Sequence, residues 1–425
     1  MTAVVGDQQV TRRRAVEALR SGVPSWAAVS ALGSGQGDIE DRFLELLERV
    51  RDRMPSEPPG GLLVSGGFGA GKSHLLEHLA HLALDDGFVV SRVVISKETP
   101  LHDPVKVFRA AVEAAVPPGG HGAALVEAAA ALDTDGIAFS ELDRWAGDAR
   151  SELNERFAAS LLLFARRGAA DPELNELVVR FWSGDPVRVP ELRRHLKEVG
   201  ERRYPLSPIS LRDLARQRLR FAARMFRAAG YPGWLLLFDE VELIGRYSLL
   251  QRARSYAEVA RWVHGDRDDA GTPVGAVLAV TDDYEAAVLS GKGDREQVGA
   301  KLRSRGSAAD DELAERAEAG MRAIERKALL LTPPDDAELD ATYLRLKELH
   351  GEAYGWDPPD VRGLERLGAT RMRQHVRAWI NEWDLTLLDP TFIPATKVAD
   401  TSALHPSYTE DPDLEGSSAV DDGAA

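Results

Sequence analysis

The fold of this 425-residue chain is decided by one stretch, Gly66-Gly67-Phe68-Gly69-Ala70-Gly71-Lys72-Ser73. It satisfies the pattern G-x-x-x-x-G-K-[ST]. The apolar residues 62–64 before it predict a short strand, and the residues from 72 to about 84 predict a helix. The Val-rich residues 88–95 predict a second strand. This order of strand, loop, helix and strand predicts a parallel sheet in an α/β fold.

The chemistry of the glycine loop (residues 66–73) is that of a phosphate cradle. Glycines let the backbone approach phosphates closely, and a helix N-terminus offers unpaired N–H groups to an anion. In this pattern Lys72 neutralises the β- and γ-phosphates, and Ser73 Oγ binds Mg²⁺. We therefore expect ATP and Mg²⁺ as cofactors. The expected nucleotide-binding residues are Gly66, Gly67, Phe68, Gly69, Ala70, Gly71, Lys72, Ser73 and His74. The alternative, a glycine-rich turn that precedes Lys-Ser by chance, is disfavoured by the correctly placed strand and helix.

A second apolar run, residues 234–238, ends in Asp239 and Glu240. In a parallel sheet such a run is a central strand whose carboxyl end lies at the ligand edge. We expect Asp239 to hold the Mg²⁺ water shell and Glu240 to act as general base on the attacking water. The alternative is a solvated acidic turn. Glu242 is expected to be a surface or loop acid, with a role in the site as the less favoured interpretation.

The next strand, residues 274–280, ends in Thr281, Asp282 and Asp283. A polar residue there can contact both the γ-phosphate and the attacking water if this strand lies between those of the two motifs. Thr281 or Asp282 is the candidate, and an N-cap of the following helix is an equal alternative. The inferred order of the five strands is 5-1-4-3-2, that of P-loop NTPases with a catalytic glutamate.

Four regions are expected along the chain. Residues 1–60 form an N-terminal helical segment, and residues 61–333 form the ATPase core. The core contains a helical insertion at about 103–229, where Ala, Leu and Arg recur without a convincing strand. Residues 334–399 form a C-terminal helical lid. Residues 400–425 carry −7 of the net charge of −15 and are expected to be a disordered acidic tail.

Composition excludes several classes of protein. With no cysteine, disulfides, zinc–thiolate sites and iron–sulfur clusters are ruled out. The net charge of −15 disfavours a protein that coats DNA or an anionic membrane, although a local basic groove remains compatible with it. No apolar run approaches the roughly 20 residues of a membrane span. We expect a cytoplasmic protein that does not associate with a membrane. The Arg-rich residues 211–227 are the best candidate for DNA contact, and a solvated or acid-paired helix face is the favoured alternative.

An ATPase of this kind usually needs positive charge from outside its phosphate-binding loop. Lys301, Arg303 and Arg305 lie in a polar stretch that could reach the site of a neighbouring subunit in a homo-oligomer. Residues 368–373 resemble the sensor-2 region of AAA+ and origin-recognition-type ATPases, in which an arginine folds back onto the γ-phosphate. Arg371 fits this role best, and Arg373 is the next candidate. A solvated or salt-bridged surface residue is the alternative for each of these side chains.

The chain resembles the ATP-binding proteins of BREX and Pgl phage-exclusion systems, a bacterial defence family with an AAA+/STAND-like P-loop domain. The resemblance rests on residues 12–24, the glycine loop, residues 238–256 and residues 370–384. The most specific of these stretches begins Phe-Asp-Glu-Val-Glu-Leu-Ile-Gly-Arg-Tyr.

The resemblance implies an ATP-binding and hydrolysing component of anti-phage defence that acts beside a methyltransferase, a phosphatase-like protein and a helicase. Its nucleotide state would control assembly with these partners or loading on DNA. The alternative is a STAND-type nucleotide switch that turns over slowly and signals by oligomerisation. A third possibility is a scaffold that binds nucleotide only for stability. Four intact residues argue against it: Lys72, Ser73, Asp239 and Glu240.

Overall fold

The computed structural model describes residues 2–22, 26–52, 60–120, 123–361, 372–392 and 407–411. The strands are β1 (Gly61–Ser65), β2 (Val89–Val94), β3 (Ala115–Val116), β4 (Trp234–Asp239), β5 (Val274–Val280) and β6 (Leu329–Leu330). The α-helices before β4 are α1 (Thr2–Ser21), α2 (Trp26–Leu32), α3 (Gly37–Arg51), α4 (Lys72–Asp85), α5 (Pro104–Glu113), α6 (Ala124–Ala131), α7 (Ile137–Gly147), α8 (Glu155–Leu163), α9 (Pro172–Ser183), α10 (Val189–Glu198) and α11 (Leu211–Ala228). Those after β4 are α12 (Leu249–His264), α13 (Asp294–Arg303), α14 (Ala308–Lys327), α15 (Asp336–Tyr354) and α16 (Met372–Leu388). Short 3-10 turns lie at Ala149–Ser151, Val241–Arg246 and Arg267–Asp269, and π-helical turns at Phe164–Gly168 and Glu285–Ser290.

The strands form one sheet in the order β3-β2-β4-β5-β1-β6. All neighbours are parallel except β3, which pairs antiparallel with β2. The five parallel strands stand in the predicted order 5-1-4-3-2, read from β6 to β2. Strand β3 was not predicted, because a strand of two residues is too short to show a period.

The sheet is covered on both faces, which explains why β4 and β5 are apolar along their whole length. Alternate residues of β4 point to opposite faces. Leu235 and Leu237 pack with α3 and α4, whereas Leu236 and Phe238 join the larger core beneath the insertion, α12 and α14.

The insertion between β2 and β4 is helical, as predicted, apart from β3. The arginines of α11 bond to other groups of the same chain. Arg218 donates to the carbonyl of Gly184 at 2.8 Å, and Arg227 donates to that of Val50 at 2.8 Å. Burial lowers the pKa of Arg218 to about 10. The Arg227 bond ties the insertion to α3, and the Arg218 bond lies within the insertion, so these arginines support a structural role for the helix rather than a DNA-contacting face.

The two ends of the chain share a second, smaller core. Helices α1 and α2 pack against α15 and α16 around a cluster of apolar side chains. Its buried members are Val16, Leu19, Ala28, Leu346, Ala353, Val376, Trp379, Ile380 and Trp383. Helix α3 instead packs on the sheet through Phe43, Leu46 and Val50. The predicted N-terminal segment is therefore divided between the helical lid and the core.

Two predictions fall largely outside the described residues. Arg371 lies there, and so does most of the predicted acidic tail. Residues 407–411 of that tail are described, and Tyr408 is buried against the core. The expectation of disorder, which was based on composition, does not hold for these five residues because one aromatic side chain anchors them. Within the described ranges, no helix has the length and apolar character required to cross a membrane.

Helices α12 and α14 cross closely at Gly320, where a β-carbon would lie 1.9 Å from the backbone oxygen of Tyr256. Gly320→Ala should lower the free energy of unfolding by about 1–3 kcal/mol, because the overpacking outweighs the better helix propensity. Urea denaturation measures this. Gly37→Ala is the matched control, since a β-carbon there meets nothing within 4 Å. Equal stability of the two variants would contradict the close crossing.

Candidate functional site

The glycine loop connects β1 to α4 at the carboxyl edge of the sheet. Gly69 and Gly71 have φ angles of 78° and 105°, in the left-handed region where only glycine is unstrained. Helix α4 begins at Lys72 without a side-chain cap on its N-terminus. The first N–H groups of the helix are thus directed into the loop, an arrangement suited to an anion.

Lys72 is buried, with 8% of its surface exposed. Its Nζ donates to the carbonyl oxygens of Gly66 at 2.9 Å and Gly67 at 3.4 Å. Glu242 Oε1 lies 3.8 Å from the same nitrogen. A buried ammonium group is therefore held at the inner side of the loop by neutral carbonyls and one carboxyl group.

Glu242 is the main departure from the sequence interpretation, which placed it at the surface. Its side chain is 3% exposed, and its Oε2 has no hydrogen-bond partner among the described residues. Burial raises the pKa of Glu242 to about 7, and the nearby Lys72 only partly opposes this shift. The short 3-10 turn after β4 directs this side chain inward. Glu242 is thus a member of the site.

Asp239 is the last residue of β4, and Glu240 follows it. Strand β4 lies beside β5, which in turn lies beside β1, the strand before the glycine loop. Asp239 is buried, and its Oδ1 accepts the N–H of Glu240 at 3.0 Å. Glu240 has a φ of 58°, which is unfavourable for a residue with a side chain and marks local strain at this turn. Burial first, then the neighbouring Asp239, raises the pKa of Glu240. A carboxylate with a raised pKa is a better proton acceptor.

Arg92 of β2 is a site residue that the sequence analysis missed. Its Nη2 lies 3.7 Å from Asp239 Oδ2, and its Nη1 bonds to Glu77 of α4. An arginine in the middle of a Val-rich strand was the available signal. Arg92 balances the charge of Asp239 at the edge where the predicted cation would bind.

Thr281 follows β5, between the strands that carry the loop and Asp239, as predicted. Its side chain does not cap the next helical turn. Instead its Oγ1 lies 2.7 Å from the hydroxyl of Tyr408. The N-cap alternative is therefore wrong for Thr281, and Asp282 is exposed.

A cleft with a volume of about 230 Å³ opens beside the loop. Residues 68–74, Glu240 and Glu242 line one side of it. Five further segments line the rest: Ala18, Leu19 and Gly22 at the end of α1, residues 32–36 between α2 and α3, Leu331, Thr332 and Pro334 after β6, Glu338 and Thr342 of α15, and Met372, Arg373 and Val376 of α16. The smaller core shared by the two ends of the chain and the core around the sheet thus face each other across one cleft.

Two contacts hold the segment 32–36 in place. The side-chain amide of Gln36 donates to the carbonyl of Thr332 at 3.0 Å and accepts its N–H at 2.8 Å. His74 Nε2 lies 2.7 Å from the carbonyl of Gly33, so this nitrogen carries the proton. Burial lowers the pKa of His74, which favours the neutral ring. The sequence analysis missed this segment, although its Gly33-Ser34-Gly35 sequence was a turn signal.

The basic residues predicted to bring positive charge to the site lie at different distances from the cleft. Arg373 lines the cleft, and a β-carbon on Gly22 would lie 2.3 Å from its Nε. Arg303 forms a bidentate pair with Glu318 at 2.7 and 3.0 Å. Arg305 lies 3.6 Å from Asp310, and Lys301 is exposed. Among the described residues, Arg373 is the one candidate from this set that lines the cleft.

Comparison with known proteins identifies the first part of the chain. Residues 8–127, about a quarter of it, match the family model described as BREX system ATP-binding protein BrxC/D. The resemblance inferred from sequence is confirmed for this stretch, which is similar to that family. No curated protein matches, and no solved structure matches. The matched residues include the glycine loop, the segment 32–36 and α1 from residue 8 onward.

The buried carboxyl of Glu242 predicts a pH-dependent stability. Since its pKa is raised to about 7, the folded state binds this proton more tightly than the unfolded state does. Its stabilising effect is complete below about pH 4.5 and is lost as pH rises through 7. Relative to Glu242→Gln, the wild-type free energy of unfolding should fall by up to about 3 kcal/mol between pH 4.5 and 7.5.

Urea denaturation of the nucleotide-free protein at several pH values measures this difference. Glu173→Gln, at an exposed position of α9, is the control and should follow the wild type. Parallel pH curves for wild type and Glu242→Gln would contradict the assignment.

Proposed function

We propose that this chain binds ATP with Mg²⁺ at the glycine loop and hydrolyses it, as an ATP-binding component of a BREX-type phage-defence system. The observation that carries the proposal is the buried Lys72 ammonium, held by loop carbonyls beside the carboxyl group of Glu242 in the turn after β4. A buried cation at the start of a helix, with adjacent carboxylates, favours a phosphate ligand accompanied by a divalent cation.

The residues present fit the nucleotide phosphates. The left-handed glycines keep the loop open, and Lys72 can exchange its bonds to Gly66 and Gly67 for phosphate oxygens. Ser73 and Asp239 would hold Mg²⁺, which neutralises phosphate charge when bound. No group of three or more acidic or histidine side chains suited to a metal occurs in the described ranges. Two protein ligands agree with Mg²⁺, which usually keeps several waters and binds substrate phosphates.

Glu240 is the proposed general base. Its raised pKa suits proton acceptance from water, and the strained backbone turn fixes its side chain at the edge of the cleft. Glu242 lies deeper, beside Lys72, and is suited to orienting the ammonium group. Thr281 would contact the γ-phosphate or the attacking water from the neighbouring strand. This division assigns proton transfer to the more accessible acid.

The base of the nucleotide would occupy the cleft between the segment 32–36 and residues 331–334. The pairing of Gln36 with Thr332 ties these two walls together. Arg373 would reach the phosphates from the lid in the role first considered for Arg371. Nucleotide binding would therefore bring the lid and the ATPase core together.

Partners are inferred from the family resemblance alone. They are a methyltransferase, a phosphatase-like protein and a helicase, with DNA and further copies of the chain as additional candidates. The exposed Lys301 and the surface pairs of Arg303 and Arg305 are accessible to a neighbouring subunit. Assembly or loading on DNA would then follow the nucleotide state.

A slow STAND-type switch is the second candidate function. It is favoured by the composition of the cleft, whose walls include α1, α16 and the segment between α2 and α3. Because helices from both ends of the chain meet there, occupation of the cleft could change their packing without rapid turnover.

Steady-state hydrolysis tests the central proposal. ATP turnover by the purified protein, with and without duplex DNA, should fall by about 100-fold or more in Lys72→Ala and in Glu240→Gln, as expected for loss of a charge-stabilising group or a base. Lys197→Ala, an exposed lysine on α10, is the control and should match the wild type. DNA stimulation would favour the motor over the switch. Turnover that survives Lys72→Ala would contradict the proposal.

Arg373 provides a separate test of the lid. Arg373→Ala should weaken ATP binding by about tenfold, the effect of one charged hydrogen bond, and ADP binding by less than about twofold. Equilibrium titration with both nucleotides measures this. Arg377→Ala is the matched control, one turn further along α16 and exposed. Equal weakening of ATP and ADP would exclude a γ-phosphate contact.

A further inference from the structure

Residues 407–411, here called the C-terminal strap, lie on the core where β5 ends. The Tyr408 hydroxyl is 2.7 Å from Thr281 Oγ1 and 3.0 Å from Asp283 Oδ1. The ring of Tyr408 is buried edge-on to Tyr284, with ring centroids 5.8 Å apart at 88°. The strap therefore covers the residue predicted to sense the γ-phosphate.

Two polar contacts beside Tyr408 make the docking specific. The N–H of Asp411 donates to the carbonyl of Arg246 at 3.1 Å. Glu410 Oε1 accepts from Arg252 Nη1 at 2.7 Å. Arg252 is itself fixed by two bonds to the buried Asp294, at 2.7 and 2.8 Å. The seat of the strap is thus a rigid part of the core.

The ring of Tyr408 packs directly on Gly245 and leaves no room for a side chain at that position. A β-carbon on Gly245 would lie 2.7 Å from Tyr408 Cδ1. Gly245 belongs to the 3-10 turn that carries Glu242. The strap consequently contacts both the turn after β4 and the end of β5, the two places that carry the proposed hydrolytic residues.

The direction of the hydrogen bonds decides what Thr281 can do. A carboxylate only accepts, so the single hydroxyl proton of Tyr408 is donated to Asp283. The oxygen of Tyr408 must then accept from Thr281, whose only proton is used in this bond. With the strap docked, Thr281 can only accept further hydrogen bonds. A phosphate oxygen is itself an acceptor and needs a donor.

We propose that the C-terminal strap is an autoinhibitory element that engages the hydroxyl group of Thr281 and is released when a γ-phosphate oxygen accepts the hydrogen bond of Thr281 in place of Tyr408. Tyr408 is a positioning residue that acts through Thr281 and touches no substrate. This inference rests on the proposed function, because it needs a nucleotide at the glycine loop. It adds a self-regulatory contact from the chain's own C-terminal region.

Hydrolysis by single and double variants of the full chain tests the inference. Tyr408→Phe should raise kcat by about fivefold, the factor by which loss of one neutral hydrogen bond shifts an equilibrium, and should change KM for ATP less. Glu410→Gln should raise kcat by a smaller factor. Tyr204→Phe, which removes a hydroxyl in the insertion, is the matched control and should leave kcat unchanged.

The double variant separates regulation from general loosening. Thr281→Val should lower kcat, and adding Tyr408→Phe to it should give no increase, because the two hydroxyls act through one bond. A rise in kcat of the same factor in both backgrounds would overturn the inference. So would a Tyr408→Phe variant that is no faster than the wild type.

Hydrogen exchange distinguishes failure of this inference from failure of the proposed function. A nonhydrolysable β,γ-imido ATP analogue should speed amide exchange in residues 407–411 several-fold, whereas ADP should not. Lys72→Ala should abolish the response. If the analogue binds the wild type without changing exchange there, the strap inference is wrong and the nucleotide site stands. If neither nucleotide binds the wild type, the proposed function fails and the strap inference fails with it.

Discussion

The candidate site depends on one geometric constraint, the parallel alignment of β1, β4 and β5. In this register Ser65 lies beside Val280, and Phe238 lies beside Leu278, so the three strands end at one edge of the sheet. Parallel neighbours require crossover helices on the faces, and these bury the strands completely. The polar side chains of the site stand at or just beyond the strand ends, and Asp239 and Thr281 remain buried there. Lys72, Asp239 and Thr281 lie at the same edge of the sheet for this reason, although more than 200 residues separate the first from the last.

Burial then sets the chemistry of these groups. Desolvation raises the pKa values of Glu240 and Glu242, and the ammonium group of Lys72 lies close to Glu242. The carboxyl group of Glu242, which lies beside the Lys72 ammonium, is thus easily protonated. The positive charge of Lys72 is then available to an anionic ligand. Arg92 provides a positive charge beside the carboxylate of Asp239. The charge pattern is that of a site prepared for a phosphate together with a cation.

Much of the core could be predicted from the sequence because its signals are local. The glycine loop, the apolar strands and the helical insertion each follow from composition and period over short windows, and the strand order followed from the motifs. The roles of Glu242, Arg92 and the segment 32–36 could not be predicted, because they depend on which distant elements cover them. A 3-10 turn directs Glu242 inward, and two side-chain bonds to Thr332 fix Gln36.

The strap shows the same limit at the C-terminal end. Composition correctly reports that the acidic region has few apolar residues, but one tyrosine over a glycine, with two polar contacts beside it, docks five residues. Such a contact leaves no periodic signal. The N- and C-terminal helices likewise gave separate local patterns, and only the shared core around Trp379 and Trp383 joins them.

The most direct test of the account is an experimental structure of Glu240→Gln with ATP and Mg²⁺. The account predicts that the triphosphate lies in the glycine loop, within hydrogen-bond distance of Lys72 Nζ, and that Lys72 has left the carbonyl of Gly66. It also predicts the base in the cleft between the segment 32–36 and residues 331–334. A protein saturated with ATP that holds the nucleotide elsewhere, with Lys72 still bound to the loop carbonyls, would contradict it.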